Sequence, residues 1–316
     1  MSDMNAYREA PLVIACGHEQ LVGVLSAPAA PPSNDLGVVI IVGGPQYRAG
    51  SHRHFVQLAR GIAAAGYPAL RFDCRGMGDS TGTPPGFEHQ DADIAAAIDA
   101  LQAAAPSVRR VVLWGLCDGA SSALLYLDER GQDPRVDGVC LLNPWVRTEA
   151  TEAGVRVRHY YLARLMQADF WTKLLRGGVG LRALWDFLDQ VAAQRTASRT
   201  AASPSQQPYP RRMARAFNRF GGHVLLCLSG RDLTAREFEM VRDADPLWTG
   251  TLAAASLRTY SAESADHTFS APQDQAALHD IVLDWIRTCL DRHPSSGAAG
   301  AAHTDGPQLL TSESMS

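Results

Sequence analysis

A cysteine held between two glycines is where chemistry gathers in this chain. Residues 111–120 read Val-Val-Leu-Trp-Gly-Leu-Cys-Asp-Gly-Ala. The apolar run 111–114 predicts a buried strand, and 120–128 has helix-forming character. Between them lies Gly115-Leu116-Cys117-Asp118-Gly119, a sharp turn of the G-x-nucleophile-x-G kind. A nucleophile in such a turn has a strained backbone. A Cβ at either flanking position would collide with the neighbouring strand or helix. The turn presents the sulfur of Cys117 at a helix start, where the dipole and free N–H groups favour a thiolate. A buried structural cysteine is the competing reading. The flanking strand and helix, and the partners found next, favour the nucleophile.

A free thiol is mostly protonated at neutral pH, so it needs a base, and the base needs an orienting acid. In an open parallel sheet such groups lie at the carboxyl ends of strands. His267 follows the last predicted strand, 256–260, by a short loop and precedes the last helix. His223 opens a strand, His279 lies within a helix, and His293 and His303 are near the C-terminus, so His52 and His54 are the runners-up. Asp232 comes just past the strand 224–228, where it would fix the imidazole tautomer. The same position suits a helix N-cap, and both roles are compatible. Asp266 ranks below it, because neighbouring side chains diverge. Two N–H donors are also needed for a developing oxyanion. The Asp118 N–H is one. The other must come from Gly43-Gly44-Pro45-Gln46, where Pro45 has no N–H. That leaves Gly44 or Gln46, with Gln46 favoured. The loop Asp73-Cys74-Arg75-Gly76-Met77-Gly78-Asp79-Ser80 reads as structural, with glycine turns and Arg75 paired to a nearby acid. This chemistry requires no metal and no cofactor.

The elements that must position these residues alternate. Residues 11–16 and 21–25 predict an antiparallel pair across Gly17-His18. Strands follow at 38–42, 69–72, 111–114 and 136–142. Between them are helices, one with Phe55, Leu58, Ala59 and Ile62 on one face and one with Ile94, Ile98 and Leu101. The alternation predicts a mainly parallel sheet with helices on both faces. It stops after Asn143-Pro144-Trp145. Residues 146–220 show helical stripes, such as Leu181, Leu184, Trp185 and Leu188, and predict an inserted helical cap. Its stretch 194–210 reads as a loop. The core is thus 1–145 and 221–292, and 293–316 reads as a disordered tail. Of 316 residues 46% are hydrophobic, enough for a large core. A net charge of −4 argues against nucleic-acid binding. Six scattered cysteines without a C-x-x-C pair suggest neither a zinc cluster nor a disulfide framework. A polar start and no long apolar run predict a cytoplasmic protein without a signal peptide. Residues 147–219 carry thirteen Lys and Arg against five Asp and Glu. A basic cap suits an anionic substrate or peripheral membrane contact, although a solvated face is the simpler reading.

The order Cys117, Asp232, His267 and the inserted cap resemble the α/β-hydrolase superfamily over residues 11–292. Several stretches resemble, more closely, the exosortase A system-associated hydrolases of the first type. They are Val42-Gly43-Gly44-Pro45-Gln46-Tyr47-Arg48, Gly50-Ser51-His52-Arg53, Phe72 to Ser80, Trp114-Gly115-Leu116-Cys117-Asp118 and Leu142-Asn143-Pro144-Trp145-Val146-Arg147-Thr148. That resemblance implies a bacterial cytosolic hydrolase in the setting of exopolysaccharide synthesis and exosortase-dependent sorting. It implies no known substrate. The cysteine also resembles that of dienelactone hydrolases and polyhydroxyalkanoate synthases, whose other motifs are absent. The expectation is an acyl hydrolase for an ester, thioester or lactone, using Cys117, His267 and Asp232, with Tyr47 and Trp145 contacting the small-molecule substrate. The alternatives are an acyltransferase using the same residues and a non-catalytic protein that docks through the basic cap.

Overall fold

Every residue of Leu36–Ile41 is buried, as a strand covered on both faces requires. This strand, β3, lies near the middle of an eight-stranded sheet in a computed structural model that describes residues 6–32, 34–44, 46–147, 207–249 and 256–290. The other strands are β1 (Tyr7–Cys16), β2 (Glu19–Pro28), β4 (Ala69–Phe72), β5 (Arg110–Leu116), β6 (Val136–Leu142), β7 (His223–Ser229) and β8 (Leu257–Ala262). Their order across the sheet is β1-β2-β4-β3-β5-β6-β7-β8. β1 and β2 pair antiparallel, as do β2 and β4, and every remaining pair is parallel. From β3 the chain goes first to one neighbour, β4, and then back across to the other, β5. The reversal leaves a crevice at the carboxyl ends of β3 and β5, where open sheets of this kind bind ligands.

Alternate side chains of β3 feed two separate cores. Val38 and Ile40 pack with Phe55, Leu58 and Ile62 of α1 (His54–Ala64) and with Leu278, Val282 and Trp285 of α6 (Pro272–Trp285). Val39 and Ile41 face the opposite core. There they meet Ile94, Ile98 and Leu101 of α2 (Asp91–Ala104), Ala120 and Leu124 of α3 (Asp118–Glu129), Met213 and Phe217 of α4 (Tyr209–Arg219), and Phe238 of α5 (Leu233–Ala244). The mainly parallel sheet with helices on both faces is the arrangement predicted from the alternation of patterns.

The boundaries differ in two informative places. β8 runs to Ala262, past the predicted end at residue 260, and so carries the chain closer to His267. α4 starts at Tyr209, inside a stretch read as loop. Its Pro210 sits in the first helical turn, where a missing N–H costs nothing. The predicted stripes on residues 161–188, nearly all of the cap and the tail lie outside the described residues. No helix among the described residues is long and apolar enough to cross a membrane.

Candidate active site

The turn after β5 is built by what glycine permits. Cys117 has φ 60° and ψ −124°, a conformation that non-glycine residues seldom adopt, and α3 begins at the next residue. A Cβ on Gly115 would stand 2.4 Å from the Gly119 carbonyl, and one on Gly119 would stand 2.7 Å from the Ile41 carbonyl. The strain is over-determined by backbone bonds. The Cys117 N–H donates to the Leu142 carbonyl at 2.8 Å, and the Cys117 carbonyl accepts from Trp145, Ala120 and Ser121. The thiol itself is half-buried.

The loops after β7 and β8 bring the predicted partners to it. Asp232 Oδ2 accepts from His267 Nδ1 at 2.7 Å. The same carboxylate caps α5, accepting from the amides of Thr234 at 3.0 Å and Ala235 at 3.3 Å. One carboxylate thus both caps α5 and accepts from the imidazole. With Nδ1 engaged, Nε2 is the ring nitrogen left free to act on the neighbouring Cys117. The bond to Asp232 first, and the neighbouring Cys117 second, hold the imidazolium against burial and push its pKa from 6.5 to about 10. Asp266 is turned to its own loop, accepting from the Thr268 and Ser270 amides.

Two features stitch these loops together. The Gly230 amide donates to Ala262 at 2.9 Å and the Arg231 amide to Ala265 at 3.0 Å, so the Asp232 and His267 loops are bonded backbone to backbone. Asn143, fully buried with φ 44°, exchanges hydrogen bonds with the amide and hydroxyl of Ser229, both at 2.9 Å. It also donates to the His267 carbonyl at 3.3 Å. Sequence reasoning gave Asn143 no such role. An Asn directly after an apolar strand, tolerant of positive φ, was the available signal.

The other predicted residues are distributed around this group. Gly44 and Asp118 meet, but not as two free donors. The Gly44 N–H donates to Asp118 Oδ2 at 2.6 Å. Burial raises the Asp118 carboxyl above its ordinary pKa, while amides of Gly44, Asp118 itself and Gly119 hold against that. A cavity of about 820 Å³ opens beside Asp118, lined among others by Gln46, Tyr47, Met77, Phe87 and Gln90. Trp145 is not on its wall. The Trp145 ring lies under the Arg147 guanidinium at 4.6 Å, and its carbonyl accepts from Ser121 Oγ at 2.6 Å. The runner-up His54 is remote in character. It is buried, stacked on His279 with ring centroids 5.5 Å apart, and near Trp114 and Phe269. In the loop 73–80, Arg75 pairs with a nearby acid as expected, while Met77 and Asp79 also reach the cavity wall. The buried Asp73 accepts from the Arg48 amide at 2.6 Å and from its guanidinium, and Arg75 pairs with the buried Asp93 at 2.8 Å.

With sheet order, turn and partners in place, comparison with known proteins decides the family. The model of the alpha/beta hydrolase family matches residues 38–282. The chain belongs to that family. Among solved structures, this alpha/beta hydrolase is similar to the esterase Pf2001 of Pyrococcus furiosus, at 17% identity, 90% of this chain, 94% of that one and a TM-score of 0.60. It is also similar to a dienelactone hydrolase from Anabaena variabilis, at 15% identity, 90% and 100% coverage and a TM-score of 0.56. A third is Est1E of Butyrivibrio proteoclasticus with ferulic acid bound, at 15% identity, 87% and 99% coverage and a TM-score of 0.55. At these identities the likeness is one of fold. No curated protein matches the chain by sequence.

Proposed function

We propose that this alpha/beta hydrolase is a cysteine-dependent acyl hydrolase acting on an ester or thioester. The observation that carries the reading is the 2.7 Å bond from His267 Nδ1 to Asp232 Oδ2, made beside Cys117 at the strained turn. An imidazolium that persists well above neutral pH is the partner a thiolate requires. In the proposed reaction Cys117 Sγ attacks the carbonyl carbon, and the carbonyl π pair moves onto oxygen. His267 Nε2 then delivers its proton to the departing oxygen or sulfur as that bond breaks. This leaves an acyl thioester on Cys117. Water attacks it, His267 accepts the water proton, and the acid departs as the Cys117 sulfur is released. Asp232 holds the imidazole in one tautomer throughout and stabilises its charged form.

The residues shared with exosortase A system-associated hydrolases support a setting beside exopolysaccharide synthesis, in the bacterial cytoplasm. Docking through a basic surface is less well supported where the chain is described. On α4, Arg211 pairs with Asp245, Arg212 with Asp128 and Glu129, and Arg215 with Asp128, so these charges are spent on the body of the protein. The test is turnover of short-chain esters and thioesters by the purified protein and by Cys117→Ala. We expect activity to be lost, with free acid as the product of the parent protein. An acylated acceptor in its place would redirect the reading to acyl transfer. Unchanged turnover in Cys117→Ala would overturn the reading.

A further inference from the structure

The proposed reaction leaves unused a half-buried acid next to the nucleophile, and it sits where the reaction needs empty space. Asp118 follows the nucleophile and opens α3, so its backbone N–H was expected to cradle an oxyanion with one from residues 43–46. The structure shows the Gly44 N–H, the less favoured of the two candidates, facing a carboxylate of the chain itself. Asp118 Oδ2 accepts from the Gly44 N–H at 2.6 Å. The other oxygen lies so close to the preceding glycine that a Cβ on Gly43 would stand 2.0 Å from it, and 2.3 Å from the Gly119 amide nitrogen. Gly43 and Gly44 thus form a notch shaped to a carboxylate, which explains why two glycines follow β3. A charge-assisted bond from a carboxylate is stronger than one from a neutral ester carbonyl. A plain ester therefore enters this notch only by displacing a better ligand.

The side chain has somewhere to go. Asp118 borders the cavity of about 820 Å³. Its other polar side chains do not compete for that acid: Asp79 is paired with Arg48 at 2.6 Å, and the Oε1 atoms of Gln46 and Gln90 are buried without a hydrogen-bond partner among the described residues. Gln90 is 4% exposed and donates only a weak bond, Nε2 to Met77 Sδ at 3.9 Å. Released into that cavity, the Asp118 carboxylate favours a ligand that brings a donor and disfavours one that brings an anion.

We propose that the Asp118 carboxylate is an internal stand-in for the substrate's carbonyl oxygen, released from Gly44 by acyl substrates that carry a hydroxyl or ammonium donor beside the carbonyl. The displaced carboxylate then accepts from that donor in the cavity, and the vacated amides take the oxyanion. Asp118 becomes a specificity residue that rejects plain acyl groups. This rests on Cys117 as the nucleophile.

The test compares hydroxyacetyl and propanoyl 4-nitrophenyl esters in the parent protein, Asp118→Asn and Asp118→Ala. Because the hydroxyl alters intrinsic reactivity, the quantity read is the ratio of the two kcat/KM values, compared between proteins. The parent ratio should exceed that of both variants by about tenfold, the worth of one charge-assisted hydrogen bond. The propanoyl ester should turn over faster in the variants. In parallel, the Gly44 amide resonance should move upfield in Asp118→Ala and return on adding acetate, which fills the notch. Asp118→Asn keeps a side-chain oxygen for Gly44 and guards against a fold lost in the alanine variant. An equal ratio in all three proteins would overturn the proposal. So would a Gly44 resonance insensitive to Asp118, or loss of activity on both esters in variants whose thermal unfolding matches the parent. The Gly44 readout does not depend on turnover. If Cys117→Ala stays active, the nucleophile assignment fails while the state of the notch is still reported.

Discussion

At the scale of single residues, Asp232 separates two roles that usually overlap. It caps α5 through two backbone amides and holds His267 through Nδ1. Asn is as good an N-cap as Asp, but it carries no charge to stabilise an imidazolium. Asp232→Asn should therefore lower kcat/KM for an ester by about 10²–10⁴ and, with the cap kept, lower the urea midpoint near pH 7 only through the lost hold on the His267 proton. Steady-state kinetics and urea unfolding on one preparation check both halves. The same pair sets a pH dependence. The folded protein holds the His267 proton to about pH 10, against 6.5 for the free side chain. This stabilisation is fully present below pH 6.5 and is lost as pH rises through about 10. Unfolding midpoints between pH 6 and 10 should fall in the parent and be flatter in Asp232→Asn. Cys117, Asp232 and His267 were legible because each follows a predicted strand, and strand ends meet in a parallel sheet. The Asp118 carboxylate was not legible. Its choice between solvent and a loop 74 positions upstream is a matter of rotamer and space, which leave no mark on an apolar pattern.

At the scale of elements, the site depends on how closely strand ends and loops approach. Gly115 lets β5 meet the first turn of α3, and Asn143 ties the ends of β6 and β7 to the His267 loop. Asn143→Ala leaves the Ser229 amide without its buried acceptor, at a cost of about 1–3 kcal/mol. It should also loosen His267, so kcat should fall more than KM rises. Chemical denaturation and initial rates check this. A variant that keeps parental stability and rate would show that Asn143 is incidental. The strands themselves were readable because burial on both faces writes a continuous apolar run, as in β3 and the second half of β6. Their exact ends were less so. The residues at those ends, such as Asn143 and Ser229, bond through side chains as well as through the backbone, and no periodicity records that.

At the scale of the molecule, the two cores respond differently to acid. His54 sits behind the sheet among Phe55, Trp114, Phe269 and His279, and burial followed by the neighbouring His279 lowers its pKa to about 3. His279 is also lowered by burial, with only Asp280 acting the other way. The unfolded chain binds protons on these rings that the folded chain refuses. Stability should therefore fall as pH drops from 6.5 toward 3. His54→Phe should flatten that limb, which urea midpoints at pH 7 and pH 4.5 measure. Because Phe269 lies two residues from His267, activity should fall over the same range. All of this surrounds one claim, that the sulfur of Cys117 takes the acyl group. The most direct measurement is rapid acid quenching during ester turnover, followed by peptide mass spectrometry. The account predicts an acyl group on the peptide bearing Cys117, released on continued incubation and absent in Cys117→Ala. Steady turnover with that peptide never acylated would contradict it.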